Sequence, residues 1–342
     1  MTTQQIVFTG KNRAELLPET LRSLQPEEVL VKTSFSTVSC GTERANIMGN
    51  PNIAGGEKAE ALNTDTYFPR TLGYSSAGIV VQTGTAVTSV IPGDRVVVFW
   101  GKHASYNLIN ESNAVKITDD RISLEEAAIS FIASFSLAGI RKTRLEAGES
   151  TLVMGLGLLG QLAVQLARAS GAVPVIAADP IEERRLAALK AGADFALDPF
   201  KNDFSAKVKE LTGGGVNTAI EVTGQGAGLE EVLDCMAKFG RVALLGCTRD
   251  PNFIIDYYRK VHFPGISLIG AHTMARPETE SRPGCFTHHD DILSILKLCA
   301  GGRIHLKSTA TYSPAECSAV YTRLVEDKDF PVIVQFDWSK LE

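Results

Sequence analysis

Two rhythms of apolar and polar residues divide this chain. Through about residue 120 the apolar positions come in short runs broken by Gly, Pro and polar clusters, which is strand grammar. Glu28–Ser36 alternates in part and is rich in β-formers, while Gly78–Gly84 and Asp94–Trp100 are brief apolar stretches bounded by Gly or Pro. Residues 50–69 are polar, rich in Gly and Asn, and predict a loop long enough to cover a cleft.

From about residue 121 the rhythm becomes helix and strand in alternation. Leu124–Arg144 has helical spacing, with Ser123 as N-cap and Glu126 three residues on. Strand Thr151–Met154, helix Gln161–Ser170 and the apolar run Val173–Ala178 follow. Next come helix Ile181–Ala191, strand Asp194–Leu197 and helix Asp203–Leu211. Gly213-Gly214-Gly215 breaks the chain before strand Asn217–Val222, helix Gly228–Lys238 and the strands Arg241–Leu245 and Ile266–Ile269. Such alternation predicts an α/β fold, a doubly wound parallel sheet with helices on both faces. The last 70 or so residues, with helices at Asp290–Ala300 and near Pro314–Glu326 and a strand at Val332–Phe336, are too few for a third domain and are expected to return to the first.

The glycines after Met154 give the alternation a chemical meaning. Gly155-Leu156-Gly157-Leu158-Leu159-Gly160 joins a strand to a helix, the context that makes Gly-x-Gly-x-x-Gly informative. Gly155 suits the tight turn, Gly157 lets backbone approach a pyrophosphate, and Gly160 lets the helix pack on the strand. The amides of Leu158 and Leu159 then face an anion at the positive end of the helix. Asp179, 19 residues after Gly160 at the end of the next apolar run, is placed to accept hydrogen bonds from a ribose and to repel a 2′-phosphate. This favours NAD over NADP, with Arg184 and Arg185 in reach of the adenine face or, as the alternative, of a 2′-phosphate.

Composition narrows the rest. A chain of 342 residues allows about two domains. The net charge of 34 − 39 = −5, with no basic block, argues against nucleic acid or an anionic membrane as partner. No apolar stretch approaches the roughly 20 residues a membrane span needs, and Met1-Thr2-Thr3-Gln4-Gln5 does not open like a signal peptide. Six scattered cysteines without a Cys-x-x-Cys pair suit reduced thiols, and the expected location is the cytoplasm.

Cys40-Gly41-Thr42-Glu43, Gly93-Asp94-Arg95-Val96, the glycine turn and Gly192-Ala193-Asp194 stand in the order seen in the medium-chain dehydrogenase/reductase superfamily, which the chain resembles over nearly its whole length. The Gly-Thr-Glu start and Phe336-Asp337-Trp338 look most like a zinc-type branch related to bacteriochlorophyllide dehydrogenases. The resemblance implies a GroES-like β-rich catalytic domain, residues 1–120 plus 273–342. A Rossmann domain, 121–272, is inserted into it, with the active site in the cleft between. It also implies hydride transfer between a nicotinamide and a small alcohol or carbonyl, with Thr223, Gly246, Cys247 and His272 along the nicotinamide half of the cofactor. Relatives pair their final Rossmann strand, so a homodimer through Ile266–Gly270 is expected.

The departures from that pattern bear on mechanism. In zinc-bearing relatives a Cys, the His of a Gly-His-Glu motif and a later Cys or acid hold the metal that polarises the substrate oxygen. Here Cys40 stands at the first position, Gly73-Tyr74-Ser75 replaces the second, and the third falls at or near Ile132. A zinc site needs about three protein ligands, so none is expected, and Cys40 reads as a small buried thiol. Four residues become candidates for the chemistry. Thr42 aligns with a proton-relaying hydroxyl, and Glu43 with an acid behind the metal. Tyr74 offers a phenol in place of the imidazole, and His103 titrates nearest neutrality. His288 and His289 read as a solvated helix cap. The reading is an NAD-dependent oxidoreductase of a secondary alcohol or ketone, with a polyol or sugar derivative preferred because the site keeps several polar groups and lacks an aromatic cluster. The alternatives are an enone or quinone reductase and a non-catalytic dinucleotide sensor or structural subunit.

Overall fold

The computed structural model describes residues 1–50, 67–248 and 250–341; most of the loop expected at 50–69 lies outside them. The chain divides into two compact units, residues 1–132 with 292–342, and residues 133–291. Both divisions fall inside helices, Leu124–Thr143 and His288–Ala300, and so lie C-terminal to the expected boundaries near 120 and 272.

The first unit is β-rich. Its larger sheet has seven strands, running Ala310–Tyr312, Val334–Asp337, Glu28–Thr37, Ser75–Thr83, Arg95–Phe99 and Ala114–Lys116, with Tyr106–Asn110 also paired to Glu28–Thr37. The C-terminal strand Val334–Asp337 pairs antiparallel with Glu28–Thr37, so the chain end does return to the N-terminal unit. Val29, Val31, Val80, Val96 and Val98 are buried in one cluster, the β-branched packing that a half-buried pleated surface favours. A smaller sheet joins Thr2–Gly10, Arg13–Thr20 and Arg70–Thr71. Its hairpin turns at Asn12, which has φ of 56°.

The second unit is a six-stranded parallel sheet in the order Phe195–Leu197, Val175–Ala178, Thr151–Met154, Val216–Glu221, Met236–Leu244, Ser267–Gly270. The chain moves outward from Thr151–Met154 on one side, then restarts at Val216–Glu221 on the other. Ligands of open α/β sheets bind outside the strand carboxyl ends at such a reversal. The inner strands are mostly apolar, with Leu152, Met154, Ile176, Ala178, Ala219 and Val242 in one core, as expected of parallel strands covered on both faces.

Most element bounds agree with the sequence pattern within a few residues, and the Ser123 cap is a reciprocal capping box with Glu126. One helix was read too long. The helix expected at Gly228–Lys238 spans Gly226–Cys235, and Met236 turns to extended backbone (ψ 143°) to begin a nine-residue strand. No described helix is long and apolar enough to cross a membrane.

Candidate active site

The glycine turn has the geometry of a cradle. Gly155 has φ of 94°, a left-handed conformation that side chains resist. A Cβ on Gly160 would lie 1.9 Å from the Gly155 carbonyl oxygen, so only glycine lets the helix Leu158–Ala169 close onto the turn. Gly157, the N-cap, is different: a Cβ there meets nothing within 4 Å. Open space at the cap of a helix whose first N–H groups lack intrahelical partners fits an incoming phosphate.

Asp179 is buried and closes this turn. Its carboxylate accepts from the Leu156 amide at 2.8 Å and the Ile181 amide at 2.9 Å, with the Arg184 guanidinium 3.7 Å away. Arg185 donates to the Asp179 and Pro180 carbonyls. Because the strands are parallel, Gly155, Asp179, Thr223, Gly246, Cys247 and His272 all follow strand carboxyl ends of one sheet. Cys247 and His272 are exposed, and the His272 Nδ1 accepts from the Met274 amide at 3.2 Å.

Sequence reasoning missed Glu221. It is 3% exposed and accepts from the Thr223 amide, the Thr223 hydroxyl and the Gly224 amide. Burial, opposed by those hydrogen bonds, holds its carboxyl above the usual range. The carboxylate shapes the turn that carries Thr223; an acid ending the apolar run Ala219-Ile220 was the available signal.

In the β-rich unit Glu43 and His103 come together. His103 Nε2 lies 3.2 Å from both Glu43 oxygens, and its Nδ1 lies 2.7 Å from Ser36 Oγ. Trp338 Nε1 donates to Ser36 at 2.9 Å, and the Tyr321 hydroxyl to Glu43 at 2.6 Å. Burial first, and Glu43 second, push the Tyr321 phenol well above its usual range. Glu43 is 0% and His103 1% exposed, so in this geometry both act on their surroundings through the residues they hold. Thr42 is half-buried, and its carbonyl accepts from the Asn46 amide.

Tyr74 sits at the margin of that network. Its hydroxyl is hydrogen-bonded to Ser39 Oγ. Ser39 is the N-cap of the helix Cys40–Ile47 but makes no side-chain cap bond, forgoing a contact ordinarily worth about 1 kcal/mol. The Tyr74 ring packs against Trp100 and Phe131, with centroids at 5.6 and 5.8 Å. Trp100 is 38% exposed with φ of 59°. An aromatic cluster therefore does surround Tyr74, which corrects the expectation that the site lacks one. Trp100 and Phe131 carried no local signal of it, because they stand 26 and 57 positions from Tyr74.

Cys40 Sγ points to the Val38 and Val332 carbonyls at 3.7 and 3.9 Å, and Ile132 is buried. Among the described residues no group of three His, Cys, Asp or Glu is arranged to hold a metal.

His288 is not the solvated cap that its sequence position suggested. Thr287 caps the helix, its hydroxyl accepting from the Asp290 amide, and His288 packs half-buried on Phe135 at 6.2 Å. Burial, then the nearby Arg276 cation, lower its pKa to about 4. An unfolded histidine titrates near about 6.5. As pH falls from there towards 4 the unfolded chain takes up a proton the folded chain refuses, so stability falls and then levels. The unfolding temperature is expected to drop between about pH 7 and about pH 5, and His288→Gln to flatten that drop. An unchanged profile in the variant would remove His288 as the cause.

A family model described as zinc-binding dehydrogenase matches residues 159–282, and one described as alcohol dehydrogenase GroES-like domain matches residues 25–132. The L-threonine 3-dehydrogenase of Pyrococcus furiosus is 30% identical over 286 residues, 75% of this chain and 79% of that protein. The D-guloside 3-dehydrogenase of Escherichia coli is 26% identical over 291 residues, 81% of this chain and 83% of that protein. The structure of benzyl alcohol dehydrogenase from Acinetobacter calcoaceticus superposes with a TM-score of 0.82 at 22% identity, covering 98% of this chain and 99% of that one.

Proposed function

This chain belongs to the zinc-type medium-chain dehydrogenase/reductase superfamily and is an alcohol dehydrogenase-like oxidoreductase, and on that premise we propose that it is NAD-dependent, interconverts a secondary alcohol and its ketone, and works without catalytic zinc. The observation that carries the reading is the turn at Gly155–Gly160, open at Gly157 and closed by Asp179. Leu158 and Leu159 amides would hold the pyrophosphate, Asp179 the adenosine ribose with Arg184 beside it, and Thr223, Gly246, Cys247 and His272 the nicotinamide half. A bound nicotinamide supplies or accepts a hydride. Thr42, Glu43, Tyr74 and His103 are the residues proposed to serve the substrate's proton, Glu43 and His103 through the residues they hold.

A polyol or sugar derivative remains the preferred substrate, now on different grounds. The name of the guloside relative supports it, and so does an aromatic wall bearing hydroxyls, because small-molecule sites pair apolar lining with a few placed polar groups. The same wall of Tyr74, Trp100 and Phe131 favours a second reading, enone or quinone reduction. A homodimer through Ser267–Gly270 is part of the proposal: this is an edge strand, Leu268 on it is exposed, and Phe239 and Phe263 nearby are 77% and 72% exposed.

Absorbance of the reduced nicotinamide, followed over a panel of glycosides, vicinal diols, hydroxy acids, their ketones and simple enones, tests the reading. Turnover of a polyol or its ketone with NADH and little with NADPH is the expected result. Enone reduction alone would move the assignment to the second reading, and NADH binding without any turnover would point to a sensor.

A further inference from the structure

We propose that the hydroxyls of Tyr74 and Ser39 form the acid–base pair of this enzyme, Tyr74 meeting the substrate oxygen and Ser39 positioning the phenol and passing protons to it. The inference rests on the oxidoreductase reading above and names the group that does the work for which no metal ligand set is assembled among the described residues.

Ser39 supplies the first ground. A serine at a helix N-cap ordinarily spends its oxygen on an N–H of the first turn. Here that bond is absent, and the Ser39 oxygen accepts from the Tyr74 hydroxyl instead. The peptide carrying it is fixed, because the Ser39 amide donates to Glu43 at 2.9 Å, and Glu43 is held in turn by His103 and Tyr321. This gives the buried hydrogen-bond network a use: it sets the place of one hydroxyl.

The Tyr74 ring supplies the second. Phe131 meets it edge-on, with ring planes at 88°, and Trp100 leans on it at 58°. The Trp100 amide also donates to the Tyr74 carbonyl at 2.9 Å. Trp100 holds left-handed backbone, a conformation that persists where the surroundings impose it and that clusters at ligand sites. Tyr74 is half-buried and Ser39 8% exposed, so the pair stands where the sealed network gives way to solvent.

The chemistry balances. In ketone reduction the carbonyl carbon gains a hydride, with its two electrons from the reduced nicotinamide, and the carbonyl oxygen gains the Tyr74 proton. The Tyr74 O–H bond breaks as the alcohol O–H bond forms. The phenolate recovers a proton from Ser39 Oγ, and Ser39 recovers one from water; oxidation reverses each step. A serine donating to a phenolate makes a charge-assisted hydrogen bond, stronger than the neutral one it replaces, so Ser39 favours the charged form of its partner.

Tyr74→Phe, Ser39→Ala and Ser39→Thr in the full chain test this by two readouts. In an ultraviolet pH titration, the tyrosinate increment that Tyr74→Phe removes should appear at higher pH in Ser39→Ala than in wild type, and return in Ser39→Thr. With NADH and the ketone the panel selects, Tyr74→Phe should lose about 10²- to 10⁴-fold in kcat and Ser39→Ala about tenfold, with NADH affinity unchanged in both. A Ser39→Ala titration identical to wild type, or wild-type kcat in Tyr74→Phe, overturns the pair while leaving the oxidoreductase reading intact. Failure of the wild-type protein to bind NADH overturns that reading, and the pair with it.

Discussion

Gly157→Ala is expected to fold as stably as wild type and to bind NADH about 10- to 100-fold more weakly, a loss of about 1.4–2.8 kcal/mol. Gly160→Ala is expected to lose stability and cofactor together. The two glycines stand three positions apart, and the difference is geometric. A Cβ at Gly157 enters open space in the chain and only a ligand would meet it. A Cβ at Gly160 is driven to 1.9 Å from the Gly155 oxygen, backbone against backbone. Overpacking of that kind costs about 1–3 kcal/mol or more, which in a unit of this size lowers Tm by roughly 4–10 °C. Thermal unfolding and NADH fluorescence titration on both variants separate the effects. Wild-type affinity in Gly157→Ala would mean that no pyrophosphate lies at the cap.

Glu43→Ala is the second large effect, and it falls on stability. The carboxylate is fully buried and accepts from Ser39, His103 and Tyr321. Truncation leaves these donors unsatisfied in an apolar surrounding that includes Phe336, 5.4 Å from the His103 ring. Each buried donor left unsatisfied costs about 1–3 kcal/mol, together on the order of 10 °C in Tm. NADH affinity should survive, because the glycine turn belongs to the other unit and has its own core. Wild-type stability with lost turnover would instead make Glu43 a group that meets the substrate.

The contrast between these sites explains what could be read from the sequence. The dinucleotide turn is local: strand, glycines, helix and acid lie within 29 residues, from Thr151 to Asp179. Strand and helix periods and turn chemistry there act over a few residues, so sequence order carries the geometry. The Glu43 network has no such order, since His103 and Tyr321 lie 60 and 278 positions away. His103 was singled out for its titration, but its burial follows from sheet pairing that no local pattern shows. Ser39 has no local signal, because its partner Tyr74 lies 35 positions away. His288 misled for the same reason, because burial against Phe135 is a tertiary fact. The helix read past Cys235 failed where Met236 left helical backbone without a Gly or Pro to mark it.

The central claim is a nicotinamide-linked alcohol or ketone conversion that does not depend on zinc. Its most direct test is the panel turnover measured on chelator-treated protein whose metal content is read by plasma emission. Polyol or ketone turnover with NAD(H) at well under one zinc per chain, unchanged when zinc is restored, is the predicted result. Turnover that disappears with the metal and returns in proportion to added zinc would contradict it.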